Sequence, residues 1–98
     1  MLRRSLATVG TLIAERYRIA GRIGSGAMAS IYLAVDIEEG KQVAVKLLHP
    51  TLADDPVAVS RFEREAKAAS GFHHDGVVRV SDWGFEHDIP FIVMELVA

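Results

Sequence analysis

Near the start of the chain, apolar residues recur at every second position over successive stretches. Tyr17, Ile19 and Ile23 alternate with Arg18, Ala20 and Arg22, which predicts a half-buried strand over 17–23. Ile31, Leu33, Val35 and Ile37 alternate with Tyr32, Ala34 and Asp36 and predict a second. The third, 42–48, is rich in β-branched residues. Positions 24–29 read as a turn, and "EEGK", 38–41, is a hairpin signal. Two prolines in "HPTLADDP" then break the pattern, and the period becomes helical. Ala58, Phe62, Ala66 and Ala69 share one stripe, with Arg61, Glu63, Arg64 and Lys67 outside it as a solvated face. Asp55 suits the N-cap, Pro56 the first helical position, and Gly71 the C-cap after Ser70. Two more strands are predicted over 77–85 and 91–97, around the polar turn "EHD" with Pro90 at a strand start. The order is β-β-β-α-β-β, and short links favour antiparallel neighbours. The expected fold is α+β: a five-stranded antiparallel twisted sheet with one main helix. Residues 1–16 read as a loose tail leading into a domain over 17–98.

The turn at 24–29 sits in "IGSGAMASIYLAVD", where Gly24, Gly26 and Ala29 fit a G-x-G-x-x-G/A spacing. A dinucleotide site of that spacing needs a helix N-terminus directly behind the turn. Here "SIYLAVD" has period two, so a strand follows. No Gly-Lys-Ser/Thr follows either, which excludes a P-loop. Two readings remain. One is an ordinary tight hairpin. The other is a glycine-rich flap whose small residues let backbone N–H groups approach phosphate oxygens.

The third strand adds a cation. In "VAVKLL", Ala44 and Lys46 share one face, and Val43, Val45 and Leu47 the other. A lysine among apolar neighbours is costly to bury without a partner, although an edge lysine that blocks aggregation also fits. The helix offers a partner. With Phe62 at the centre of the inward stripe, Glu65 falls about 60° to one side and Glu63 about 100° to the other. Glu63 has Lys67 four residues on, a normal surface pair. Glu65 is therefore the carboxylate best placed to reach the sheet and meet Lys46.

Composition narrows the class. The 98 residues are half apolar with a formal net charge of −2, which fits one small globular domain and gives no electrostatic case for nucleic acid or an anionic membrane. There is no cysteine, so disulfides and thiolate metal sites are excluded, and a cytoplasmic location is expected. No stretch is long enough to span a bilayer. Thr8, Gly10 and Thr11 interrupt any signal-peptide core near the start. The histidines His49, His73, His74 and His87 raise the question of a metal. However, "HHD" is contiguous and in a loop, without i, i+4 spacing, so no metal site is expected. Trp83, Phe85 and Phe91 are expected in the core.

Taken together, these residues resemble the N-terminal lobe of protein kinases, in particular the bacterial Ser/Thr kinases of eukaryotic type. "GSGAMASI" matches the family's glycine loop, "VAVK" its V-A-I-K, and "RFEREA" its helix glutamate at Glu65. "FHHDGVV" looks like the entry into strand four, with His74 in the usual histidine place, and "FIVMELV" like strand five running into the hinge. The resemblance covers 17–98. Ala29 replaces the third glycine, which resists φ > 0 and stiffens the flap, and Asp75 stands where proline is usual.

The resemblance implies an ATP-binding lobe. Lys46 would hold the α- and β-phosphates, Glu65 would orient Lys46, and the flap of Gly24, Ser25, Gly26, Ala27, Met28 and Ala29 would cover the triphosphate. Ile23, Ile31 and Ala44 would line the adenine pocket, with Met94 as gatekeeper and backbone groups of Glu95 and Val97 as adenine contacts. The 98 residues contain no H-R-D-x-x-x-x-N and no D-F-G. The expectation is a lobe cut at the hinge, inactive alone, whose Mg²⁺ is bound only with a C-terminal lobe. Its partners would be ATP, a protein substrate of the full-length kinase, and the C-terminal lobe or another protein on the apolar underside. An alternative class is a non-catalytic kinase remnant acting as a protein-interaction module. The retained Lys46 and Glu65 favour the nucleotide-binding lobe.

Overall fold

The computed structural model describes residues 8–70 and 79–96. Gly71, "FHHDGVV" with His73, His74 and Asp75, the start of the fourth expected strand, and Val97 lie outside the described residues. The strands are β1 (Leu12–Ile13), β2 (Tyr17–Ser25), β3 (Ala29–Asp36), β4 (Lys41–Leu48), β5 (Val80–Glu86) and β6 (Ile89–Glu95). One helix, α1 (Pro56–Ser70), follows a short 3₁₀ turn at Pro50–Leu52. The six strands form one antiparallel sheet in the order β1-β2-β3-β4-β6-β5.

The sheet therefore has six strands where the sequence predicts five. The additional strand, β1, is only two residues long, too short for an alternation to announce it. It turns into β2 through Ala14 and Glu15, both in the left-handed region at φ 55° and 57°. Ile13 is nevertheless fully buried, so the stretch read as a loose tail contributes to the core.

Helix α1 starts as its sequence dictates. The Asp55 carboxylate accepts hydrogen bonds from the amides of Val57 (3.0 Å) and Ala58 (3.4 Å), and Pro56 occupies the first turn. Ala58, Phe62 and Ala66 face inward and are buried. The β5–β6 connection is tighter than expected, a two-residue turn of His87 and Asp88 with φ 49° and 69°. Strand β6 consequently starts at Ile89 and includes Pro90. Pairing with β4 begins only at Phe91, so the missing Pro90 N–H breaks no ladder bond on that side.

The two faces of the sheet divide the work. Residues directly opposite in register share a face. Tyr32, Ala34, Val43, Val45, Leu47, Phe91 and Val93 line the inside of a curl and are buried. Ile31, Leu33, Ala44, Lys46, Ile92 and Met94 lie on the other face, toward α1 and the cleft. In β3 the aliphatic row of Ile31, Leu33 and Val35 is only half-buried, while Tyr32, Ala34 and Asp36 are buried. The alternation predicted the strand correctly, but apolarity alone did not reveal which face was covered.

The curl nearly closes. The Tyr17 hydroxyl of β2 donates to the Asp82 carboxylate of β5 at 2.7 Å, and the Ala14 amide donates to Glu86 at 2.9 Å. Burial and the Asp82 carboxylate push the Tyr17 phenol well above its ordinary pKa. Beside Tyr17, Arg16 grips Asp36 through two bonds of 2.9 Å, and Asp36 also accepts the amides of Glu38 and Glu39. These bonds hold the Asp36 carboxyl below the usual carboxylate range.

Candidate functional site

Strand β2 does not run straight into its turn. Its register against β3 shifts between Ile19 and Gly21 and again between Arg22 and Gly24. The second shift leaves Ile23 out of the ladder and 58% exposed, not on the face of Tyr17 and Ile19 as the alternation predicted. Beyond it the chain reverses through Gly26, Ala27 and Met28. The Gly26 amide donates to the Ala29 carbonyl at 2.8 Å, and the Ser25 and Ser30 hydroxyls meet at 3.3 Å.

Under this turn, β4 presents Lys46 next to Ile31 of β3 and Ile92 of β6. Helix α1 crosses the same face. Its Glu65 carboxylate accepts a bond from Lys46 Nζ at 2.9 Å, and that ammonium lies 6.0 Å from the Phe62 ring centre. The expectation that Glu65, and not Glu63, reaches the sheet lysine is met geometrically. Helical spacing carries this result: Phe62 anchors the stripe, and Glu65 is the acid three residues further on.

Turn, lysine and helix enclose a cavity of about 410 Å³, within the usual range for small-molecule sites. Its walls include Ser25, Gly26, Ala27, Met28, Ala29 and Ile31, with Lys46 and Glu65 at one side. Phe62 supplies a floor and Arg61, one turn before Glu65, a second cation. The sequence reading placed Arg61 on a solvated face. It is exposed, but its i, i+4 relation to Glu65 also brings it to this wall.

Other expected contacts stand apart from the cavity wall. Gly24 lies opposite Ile31 at the start of the turn. Ala44 and Met94 face each other across β4 and β6, one step along the same face from Lys46 and Ile92. Ala44 is buried and Met94 half-buried against the core. The Glu95 side chain pairs with Lys41 (3.5 Å) and Arg79 (3.7 Å), and its amide already donates to the Arg79 carbonyl. Of the three aromatics expected in the core, Phe91 is buried, Trp83 is half-buried beneath the Lys67 ammonium at 5.5 Å, and Phe85 is 48% exposed. Phe85 lies on the edge strand β5. His49, considered above only as a metal ligand, instead bonds the glycine turn.

Among the described residues, no group of three or more His, Cys, Asp or Glu side chains stands close enough to hold a metal ion, and no helix is long and apolar enough to cross a membrane.

A glycine turn over a paired lysine and helix glutamate, carried by a curled antiparallel sheet, defines the small lobe of a phosphoryl-transfer fold. The chain belongs to the protein kinase family: the model of the protein kinase domain matches residues 17–98. The matched stretch is the N-terminal region of bacterial Ser/Thr protein kinases. This chain is 45% identical over 89 residues to the serine/threonine-protein kinase PrkC of Bacillus subtilis, covering 91% of this chain and 14% of that protein. It is 43% identical over 91 residues to the serine/threonine-protein kinase pkn3 of Myxococcus xanthus, covering 92% of this chain and 17% of that one. The crystal structure of the Mycobacterium tuberculosis PknI kinase domain superposes with a TM-score of 0.74 at 29% identity, covering 92% of this chain and 36% of that one. The chain thus spans under a fifth of the length of these two curated relatives.

Proposed function

We propose that this chain is the ATP-binding lobe of a serine/threonine protein kinase, whose whole protein transfers the γ-phosphate of ATP to protein hydroxyls. The observation that carries the reading is the Lys46–Glu65 pair at 2.9 Å inside the cavity beneath the glycine turn. Lys46 binds the α- and β-phosphates as a fixed cation, and Glu65 keeps it aimed. The amides of Ala27 and Met28 donate to no acceptor among the described residues, so the turn has donors left for phosphate oxygens.

The adenine would lie along the row formed by Ile31, Ala44 and Met94, with Ile23 closing over it and the Glu95 carbonyl and Val97 at its edge. Mg²⁺ neutralises charge on the triphosphate when bound, and none of the described residues is assigned to it. The 98 residues hold no H-R-D-x-x-x-x-N and no D-F-G, so turnover is assigned to the whole protein and not to this stretch alone. Ile23 and Leu96, both exposed, belong to an apolar rim for the rest of the kinase or another protein to cover. The cytoplasm, where ATP is abundant, is its proposed location.

Titration of this chain with a non-hydrolysable ATP analogue tests the reading. Half a cleft is expected to bind at about millimolar, and Lys46→Ala to weaken binding at least tenfold. Equal binding by wild type and Lys46→Ala would remove the basis for the assignment.

A further inference from the structure

His49 follows β4 directly and touches the glycine turn twice. Its backbone amide donates to the Met28 carbonyl at 2.8 Å. Its ring nitrogen Nε2 lies 2.8 Å from the Gly26 carbonyl oxygen. A carbonyl oxygen only accepts, so Nε2 carries the proton in this contact. One residue thus holds two carbonyls of a three-residue turn in which only Met28 brings a side chain to the core, and Gly26 and Ala27 bring none.

The consequence follows from peptide geometry. In a planar trans peptide the C=O and the following N–H point in opposite directions, and no cis peptide is present among the described residues. Drawing the Gly26 carbonyl toward His49 turns the Ala27 N–H away from it. Ala27 lines the cavity and His49 does not. That amide is also one of the two in the turn without an acceptor among the described residues. We propose that His49 is a positioning residue: its ring N–H fixes the Gly26–Ala27 peptide plane so that the Ala27 amide faces the phosphates of a bound nucleotide. This rests on the ATP-binding reading above and specifies how the Gly26–Ala27 peptide is held, since neither residue has a side chain that could anchor it. It also offsets the freedom that glycine gives the turn, because an amide already oriented loses less entropy when a ligand arrives.

The test is a titration of the ¹⁵N-labelled chain with a non-hydrolysable ATP analogue and, separately, with adenosine. In wild type, the analogue shifts the Ala27 amide resonance and adenosine does not. His49→Phe keeps the ring but removes the donor, and weakens the analogue about fivefold, equivalent to one neutral hydrogen bond. Adenosine binding stays unchanged in that variant. His49→Gln places an amide N–H near the same point and stays within about twofold of wild type.

Three results overturn the proposal: undiminished analogue binding by His49→Phe, equal weakening toward adenosine, or a wild-type Ala27 amide unmoved by the analogue. The last decides the matter even where His49→Phe does not fold. Wild type binding neither ligand would instead overturn the ATP reading itself, which keeps the two failures distinct.

Discussion

Lys46 shows what magnitude says about purpose. Its side chain is 29% exposed and its partner Glu65 is 60% exposed. A pair this wet contributes at most about 1 kcal/mol to stability. Fixing a cation for a ligand is a better account of it than fold stability. Glu65→Gln is accordingly expected to weaken ATP-analogue binding by about three- to tenfold while lowering Tm by no more than about 4–8 °C, read by titration and by thermal unfolding. Asp36 is the opposite case, with a side chain only 3% exposed and four bonds converging on it. Its folded pKa is lowered, so the unfolded chain binds the proton more readily. The stabilisation is present above the ordinary carboxylate range and is lost as pH falls through the depressed folded value. Thermal melts from pH 7 downward should show this acid-side loss in wild type. Asp36→Asn should start several degrees lower at pH 7 and lose less on acidification; parallel curves would refute it.

Among the elements, the turns carry strain that a single substitution can relieve. Asp88 sits at φ 69°, where a side chain costs about 1 kcal/mol and glycine costs little. Asp88→Gly should therefore raise Tm by about 4–8 °C in a domain of this size, measured by calorimetry. The helix predicts the reverse: Asp55→Ala removes the cap at 3.0 and 3.4 Å and should cost about 1 kcal/mol. Elements were also where the sequence was most legible. The helix declared itself through Asp55, Pro56 and the stripe, two strands through their alternation, and a third through its β-branched residues. Ile23 was misplaced because one register shift separates it from Tyr17 and it sits inside a second, and a bulge leaves no local mark in a period-two pattern. Phe85 was misplaced because burial on an edge strand depends on what covers it. His49 was unread because its two bonds join segments that no periodicity connects.

At the scale of the whole molecule, consecutive hairpins account for β2, β3 and β4, whereas β6 inserts between β4 and β5 only after the helix. The lysine and the glutamate meet because that insertion extends the sheet beneath α1. The curl itself is fastened by Tyr17 and Asp82, 65 residues apart along the chain. A ribosome releases the three hairpin strands first, and they can pair at once, but Tyr17 must wait for Asp82, 65 residues later, before its hydroxyl finds this acceptor. A contact of such sequence separation is expected to form after the rate-limiting barrier. Tyr17→Phe should quicken unfolding several-fold and leave refolding almost untouched, a split that stopped-flow mixing across denaturant would resolve.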